Sequence, residues 1–129
     1  MRQVIQTHDA PRAIGTYSQG IKGGSFVFTS GQLGIDPATG ELERDDFVKE
    51  ARLALHNLGA VLEAGGSSLQ HVAKITVFLK DLSNFPALNQ LFAQTFEKDP
   101  PARSTVQVGA LPLGANVEIE AVGLVEKGD

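Results

Sequence analysis

The sequence predicts an α+β fold: a mixed β-sheet with two helices on one face. Three observations point there. β-prone apolar runs and amphipathic stretches follow one another as strands, helix, strand, helix, strands. The run Val72–Lys80, the helical stretch behind it and the run Ser104–Val108 have the make-up of a βαβ unit with parallel strands. Apolar residues also occupy the strand faces turned away from the helices, namely Phe26 or Phe28, Phe78, Val122 and Leu124. That second face is too apolar to stay wet, which implies association.

Taken in order, Val4-Ile5-Gln6-Thr7 predicts a short first strand, broken by Ala10-Pro11 and Gly15. Tyr17 follows in a polar segment, Thr16 to Gly20; its hydroxyl either donates to a ligand or stays wet over a turn. Ser25–Ser30, rich in aromatic and β-branched residues, predicts a strand. Ser30 and Gly31 at its end either offer a hydroxyl and a backbone N–H to an anion or form a turn. Asp36-Pro37-Ala38-Thr39-Gly40 is a turn by composition.

Asp45 or Asp46 caps a helix reaching about Ala64. Phe47, Ala51, Ala54, Leu55, Leu58 and Leu62 share its apolar face, and Gly65-Gly66 stop it. Lys49, Arg52 and Glu63 read as its solvated side. In Val72–Lys80, Ile75, Val77 and Leu79 share one face. Asp81 or Ser83 caps a second helix, with Pro86 in its first turn, reaching about Lys98. Phe85, Leu88, Phe92 and Phe96 form its apolar stripe; Asn89 lies at the border and reads as a surface amide. His8, His56 and His71 show no metal-ligand spacing and read as surface residues.

Pro101 to Ala121 joins the last two β-prone runs, Ser104–Val108 and Val117–Val125. Arg103 and Glu118 are the charged residues that stand out there, and such groups need partners or water. Guanidinium matches a carboxylate through two parallel hydrogen bonds, so Arg103 either grips an acidic ligand or meets a structural acid. Glu118 either belongs to a site or faces solvent. If the two runs form a hairpin with Val108 opposite Val117, Arg103 and Glu118 are offset by about 13 Å along the strands. The connection Gly109–Asn116 is also long enough for the chain to skip a strand.

The chain of 129 residues reads as one domain able to bury a core. Its net charge of −4, without a basic run, argues against nucleic acid as the main partner. The absence of cysteine excludes disulfides, thiolate ligands and a cysteine nucleophile. The first residues lack the apolar core of a signal peptide, and no stretch has the length of a membrane span. Cytoplasm is the expected compartment.

Pro101-Ala102-Arg103-Ser104, followed by Val106, Leu111 and Val117-Glu118-Ile119, resembles the signature of the RidA/YjgF family. Ala13-Ile14-Gly15, Tyr17-Ser18-Gln19, Thr29-Ser30-Gly31-Gln32, Asp36-Pro37, Thr39-Gly40-Glu41 and Val77–Leu82 match further landmarks in family order. The resemblance covers essentially the whole chain. It implies a chorismate-mutase-like fold and a homotrimer whose sheets pack into a central barrel, with ligand sites between subunits. It implies hydrolysis of reactive enamines and imines, such as 2-aminoacrylate, 2-iminopropanoate and 2-iminobutanoate, to 2-oxo acids and ammonia without a cofactor or metal. Carried over by position, Arg103 binds the substrate carboxylate and Glu118 holds or activates the water. Tyr17, Ser30, Gly31 and Asn89 line the cleft. Thr105 departs from the cysteine common in relatives, and Thr16 from a proline. Two rival readings accompany this one: an endoribonuclease that inhibits translation, and a non-catalytic, ligand-sensing or chaperone-like trimer.

Overall fold

Every strand among the described residues joins one sheet, and the last of them sits inside it. The computed structural model describes residues 1–126. Six strands, β1 (Arg2–Ile5), β2 (Gly20–Gly23), β3 (Phe26–Thr29), β4 (Val72–Leu79), β5 (Ala102–Gln107) and β6 (Val117–Leu124), lie in the order β1-β2-β3-β6-β4-β5. Helix α1 spans Phe47–Ala64 and α2 spans Phe85–Thr95. This is the mixed α+β arrangement expected, with the two helices on one face.

The βαβ unit is present: β4 and β5 pair in parallel, with Ile75 beside Arg103 and Leu79 beside Gln107, and α2 connects them. The hairpin is not. β4 lies between β5 and β6, pairing antiparallel with β6 from Leu79↔Val117 to Val72↔Gly123. The connection from Val108 to Asn116 therefore carries the chain across β4. β6 alternates along its length, so Val117, Ile119 and Ala121 enter the core while Glu118, Glu120 and Val122 take the other face.

The core lies between sheet and helices. Ala51, Ala54, Leu55, Leu58, Val61 and Leu62 of α1 and Leu88 and Phe92 of α2 pack over Ile75, Val77, Leu79, Val117 and Ile119. Asp46 caps α1 by accepting the Lys49 N–H at 3.1 Å. Asp81 accepts the Ser83 N–H at 2.8 Å, which lowers its pKa, and a 3₁₀ turn, Leu82–Asn84, leads into α2. α2 ends at Thr95 rather than near Lys98. Phe96, just past the helix end, still packs edge-on against Phe92 with ring centroids 5.4 Å apart.

Two strand expectations shift. The first strand is Arg2–Ile5 rather than Val4–Thr7, and it pairs with β2, a strand of two glycines flanking Ile21 and Lys22 that carries almost no β signal. The open face of the sheet is apolar at β3 and the end of β6, as expected, and both phenylalanines lie there, while Lys74, Thr76, Glu118 and Glu120 make the rest of that face polar. Phe26 and Phe28 are 44% and 45% exposed and pair with Leu124 and Val122. All three histidines are exposed; His71 Nδ1 lies 3.4 Å from Glu126.

Candidate functional site

Arg103 lies on the helix side of edge strand β5, where the pleat also puts Thr105 and Gln107. Helix α2 supplies its surroundings. Phe85, Asn89 and Phe92 are spaced i, i+4, i+7 and so share one helix face. Arg103 Nη2 donates to Asn89 Oδ1 at 2.9 Å. The guanidinium carbon lies 5.3 Å from the ring centroids of both Phe85 and Phe92. Cation–π contact with two rings and one hydrogen bond fix the plane of the group. No carboxylate comes within ion-pair distance of it among the described residues. Arg103 therefore has no structural acid. Asn89 is its orienting partner, and its remaining N–H groups can take a ligand carboxylate.

Glu118 lies on the open face opposite Phe78. It does not simply face solvent. Its carboxylate packs so closely on Gly31 that a Cβ at that position would overlap it. Burial pushes the Glu118 pKa up from the ordinary carboxylate range, and Glu120, two residues along the same strand face, adds to the shift. No cation pairs with Glu118 among the described residues.

Tyr17 and Ser30 border a cleft of ≈ 520 Å³, together with Arg2, Thr16, Ser18, Ile21, Phe28 and Thr29. Tyr17 is 53% exposed; its oxygen accepts the Ile14 N–H at 3.3 Å, leaving its own proton for a ligand. The anion-binding expectation for Ser30 is corrected. Its hydroxyl donates to the Ser18 carbonyl at 2.6 Å and its N–H to the Gln19 carbonyl at 2.8 Å. Only the lone pairs of its hydroxyl remain. The Gly31 N–H has no hydrogen-bond partner among the described residues.

One chain thus forms two groups. Arg103 and Asn89 make one, and Glu118 and Gly31 the other, with Ser30 next to Gly31 in the chain and Tyr17 across the cleft from it. The chain does not bring the two groups together. Across β4, Arg103 aligns with Ile75 and Glu118 with Phe78. That is about 10 Å along the strands and two strand spacings, about 10 Å, across them. The two side chains also project from opposite faces of the sheet.

Sequence reasoning assigned Phe85 and Phe92 to packing and missed their place under Arg103. Their spacing with Asn89 was the available signal. It also passed over Glu50, which is 1% exposed, and Asn57, which is fully buried. Asn57 donates to the carbonyls of Leu33 and Ile35 at 3.0 and 2.7 Å, fixing the segment that follows Gly31. Their helical positions beside Ala51, Ala54 and Leu58 are the signal there. Thr105 Oγ1 is buried without a hydrogen-bond partner among the described residues. Among the described residues, no group of three or more His, Cys, Asp and Glu side chains can hold a metal ion. No helix there is long and apolar enough to cross a membrane.

The family model described as Endoribonuclease L-PSP matches residues 7–125. The chain is 45% identical to a goat protein named 2-iminobutanoate/2-iminopropanoate deaminase, over 96% of this chain and 90% of that one. Among solved structures, RidA from an Antarctic Psychrobacter superposes with a TM-score of 0.91 at 49% identity, covering 95% of this chain and 99% of that one. TdcF of Escherichia coli with bound serine gives 0.90 at 43% identity, covering 95% and 98%. With likeness of this extent from end to end, in sequence and in fold, the chain belongs to the RidA/YjgF family.

Proposed function

We propose that this protein hydrolyses small 2-imino acids and their enamine tautomers to 2-oxo acids and ammonia, as a homotrimer with sites between subunits. The observation that carries this reading is the pre-oriented, acid-free guanidinium of Arg103, a receptor for a small carboxylate. The deaminase name of relatives at this identity supports the substrate class, and the serine bound to TdcF supports a ligand bearing an α-carboxylate. The split between the two residue groups supports a shared site. Arg103 at the edge of one subunit's sheet meets Glu118, Gly31, Ser30 and Tyr17 of a neighbour that covers the open face.

In such a site Arg103 binds and orients the substrate carboxylate. The Glu118 carboxylate takes a proton from water as the oxygen adds to the imine carbon, converting C=N to a carbinolamine. It returns that proton to the nitrogen. Glu118 next takes the hydroxyl proton and delivers it to the amino nitrogen, so the C–N bond breaks as C=O forms, and ammonia and the 2-oxo acid leave. A raised pKa suits Glu118 to this exchange, because it narrows the gap between carboxylate and the groups it serves. An enamine substrate first takes a proton on its terminal carbon. No step needs a metal, a thiol or a redox cofactor.

The test couples the protein to a pyridoxal-phosphate dehydratase and follows disappearance of the imine against a no-protein control, because imines also hydrolyse spontaneously. Faster loss with the protein, removed by Arg103→Ala, is expected. Pyruvate binding without faster loss would favour a sensing role. The description of the matching family model favours a second reading, RNA cleavage. The net charge of −4 weighs against it. RNA cleavage that survives rigorous purification and disappears in Arg103→Ala would establish it.

A further inference from the structure

Glu50 stands in the first turn of α1, buried among apolar residues, with no cation within ion-pair distance among the described residues. A buried carboxylate without a counter-charge is costly unless its oxygens are hydrogen-bonded. Both are, and by one residue. Oε2 accepts the Asn116 backbone N–H at 2.8 Å, and Oε1 accepts from Asn116 Nδ2 at 2.9 Å. The Asn116 carbonyl in turn accepts the Lys80 N–H at 3.1 Å. Asn116 is therefore anchored to α1 and to the end of β4, two residues before Glu118.

The same residue also meets the other wall of the Glu118 carboxylate. A Cβ on Gly34 would overlap the Glu50 carbonyl and its Cγ, so the chain three residues after Gly31 lies directly against this turn of α1. Gln32, within that segment, exchanges hydrogen bonds of 2.8 and 3.0 Å with Ile119. Glu50 thus ties the start of the strand bearing Glu118 to the segment bearing Gly31. An apolar residue would fill the space and still meet Gly34 but would leave Asn116 unbonded.

We propose that Glu50 is a positioning residue: through Asn116 and Gly34 it sets the spacing that holds the Glu118 carboxylate against Gly31. The proposal rests on the deaminase reading only in taking Glu118 as the reacting carboxylate. It commits to a donor–acceptor pattern that can be reversed. Asn116→Asp sets one carboxylate against another. Adding Glu50→Gln restores both contacts, because the glutamine oxygen accepts the backbone N–H and its amide donates to the new aspartate.

The experiment measures imine hydrolysis per folded protein, pyruvate affinity, melting temperature and the carbon-13 titration of the Glu118 carboxyl. Asn116→Asp should lower kcat about tenfold, with KM and pyruvate affinity unchanged, since Arg103 is untouched. The Glu118 titration should move down toward the ordinary carboxylate range as water reaches the loosened wall. Glu120, its charged neighbour on the strand, is the same in every variant. The Glu50→Gln/Asn116→Asp pair should return kcat to within about threefold of wild type and restore the titration. Asn116→Ala, a milder change, covers the case in which Asn116→Asp does not fold, and should shift both readouts in the same direction. Variants that melt lower but keep wild-type kcat and Glu118 titration would overturn the proposal and leave Glu50 a merely structural residue. If the wild-type protein hydrolyses no imine, the deaminase reading falls, while the Glu118 titration still decides the role of Glu50.

Discussion

Arg103 and Glu118 sit on the two faces of the same sheet in contrasting surroundings. Arg103 is held by its own chain: three residues of one helix face grip it from below and beside. Glu118 meets a glycine on the open face of the sheet, and no cation among the described residues pairs with it. The cationic half is finished within a single subunit. The acidic half is, on the proposed reading, completed by a neighbouring subunit over the open face.

Phe28→Glu should break this comparison most completely. It puts a charge on the uncovered face, away from the core, so the subunit should fold but fail to associate. Light scattering should report the 13.7 kDa chain mass, and imine hydrolysis should vanish. An active Phe28→Glu monomer would sink the shared site. Glu118→Gln should come next, losing about 10²–10⁴-fold in kcat while pyruvate affinity stays near wild type. Unchanged turnover would leave Arg103 alone and favour sensing. Arg103→Lys keeps the charge but loses the planar fork, and should cost about ten- to hundredfold in kcat/KM, close to the effect of Arg103→Ala. A variant that is destabilised yet fully active once folded would end the binding role. Asn89→Ala removes one orienting hydrogen bond and should cost about three- to tenfold in kcat/KM.

The smallest effect concerns stability and sharpens the contrast most directly. The Glu118 pKa is raised in the folded state, so its ionised form is disfavoured there. The associated stability is fully present below the unfolded pKa and is lost as pH rises through the folded pKa. Glu118→Gln should therefore melt higher than wild type at pH 7, and the difference should close as pH falls below the ordinary value of 4.5. Equal melting temperatures at pH 7 would mean that Glu118 is not desolvated. The Arg103 side makes no such prediction.

Much of this architecture is legible in the sequence where the signal is local. The stripe of α1, a cap at Asp45 or Asp46, the alternation of β4 and the parallel β4–α2–β5 unit follow from side-chain periodicity and turn chemistry. The rest depends on contacts between distant residues. Nothing in Gly20–Gly23 marks a strand, because its pairing partners on both sides supply the stability that its own residues do not. A connection of eight residues suits a hairpin as well as a crossover, and only the completed sheet distinguishes them. Arg103 and Glu118 were visible as conspicuous charges and as family positions. That they face opposite ways was not, since it follows from the two registers on β4 together. Ser30 shows the same limit: a hydroxyl at a strand end looks available until the Ser18 carbonyl is found beneath it.

The central place of β6 has a consequence for how the protein is made. β1–β3 and β4–β5 are each assembled from strands that neighbour one another in the chain or are linked by one helix, and β6 alone joins them. During synthesis the two blocks emerge first, with the edges of β3 and β4 bare until the final strand is released. Closing the sheet then pairs Val122 with Phe28, more than ninety residues earlier, so a large loop must be ordered before its contacts repay the entropy. The proposed association of subunits would have to follow, because the surface built from Phe26, Phe28, Val122 and Leu124 does not exist before β6 is in place.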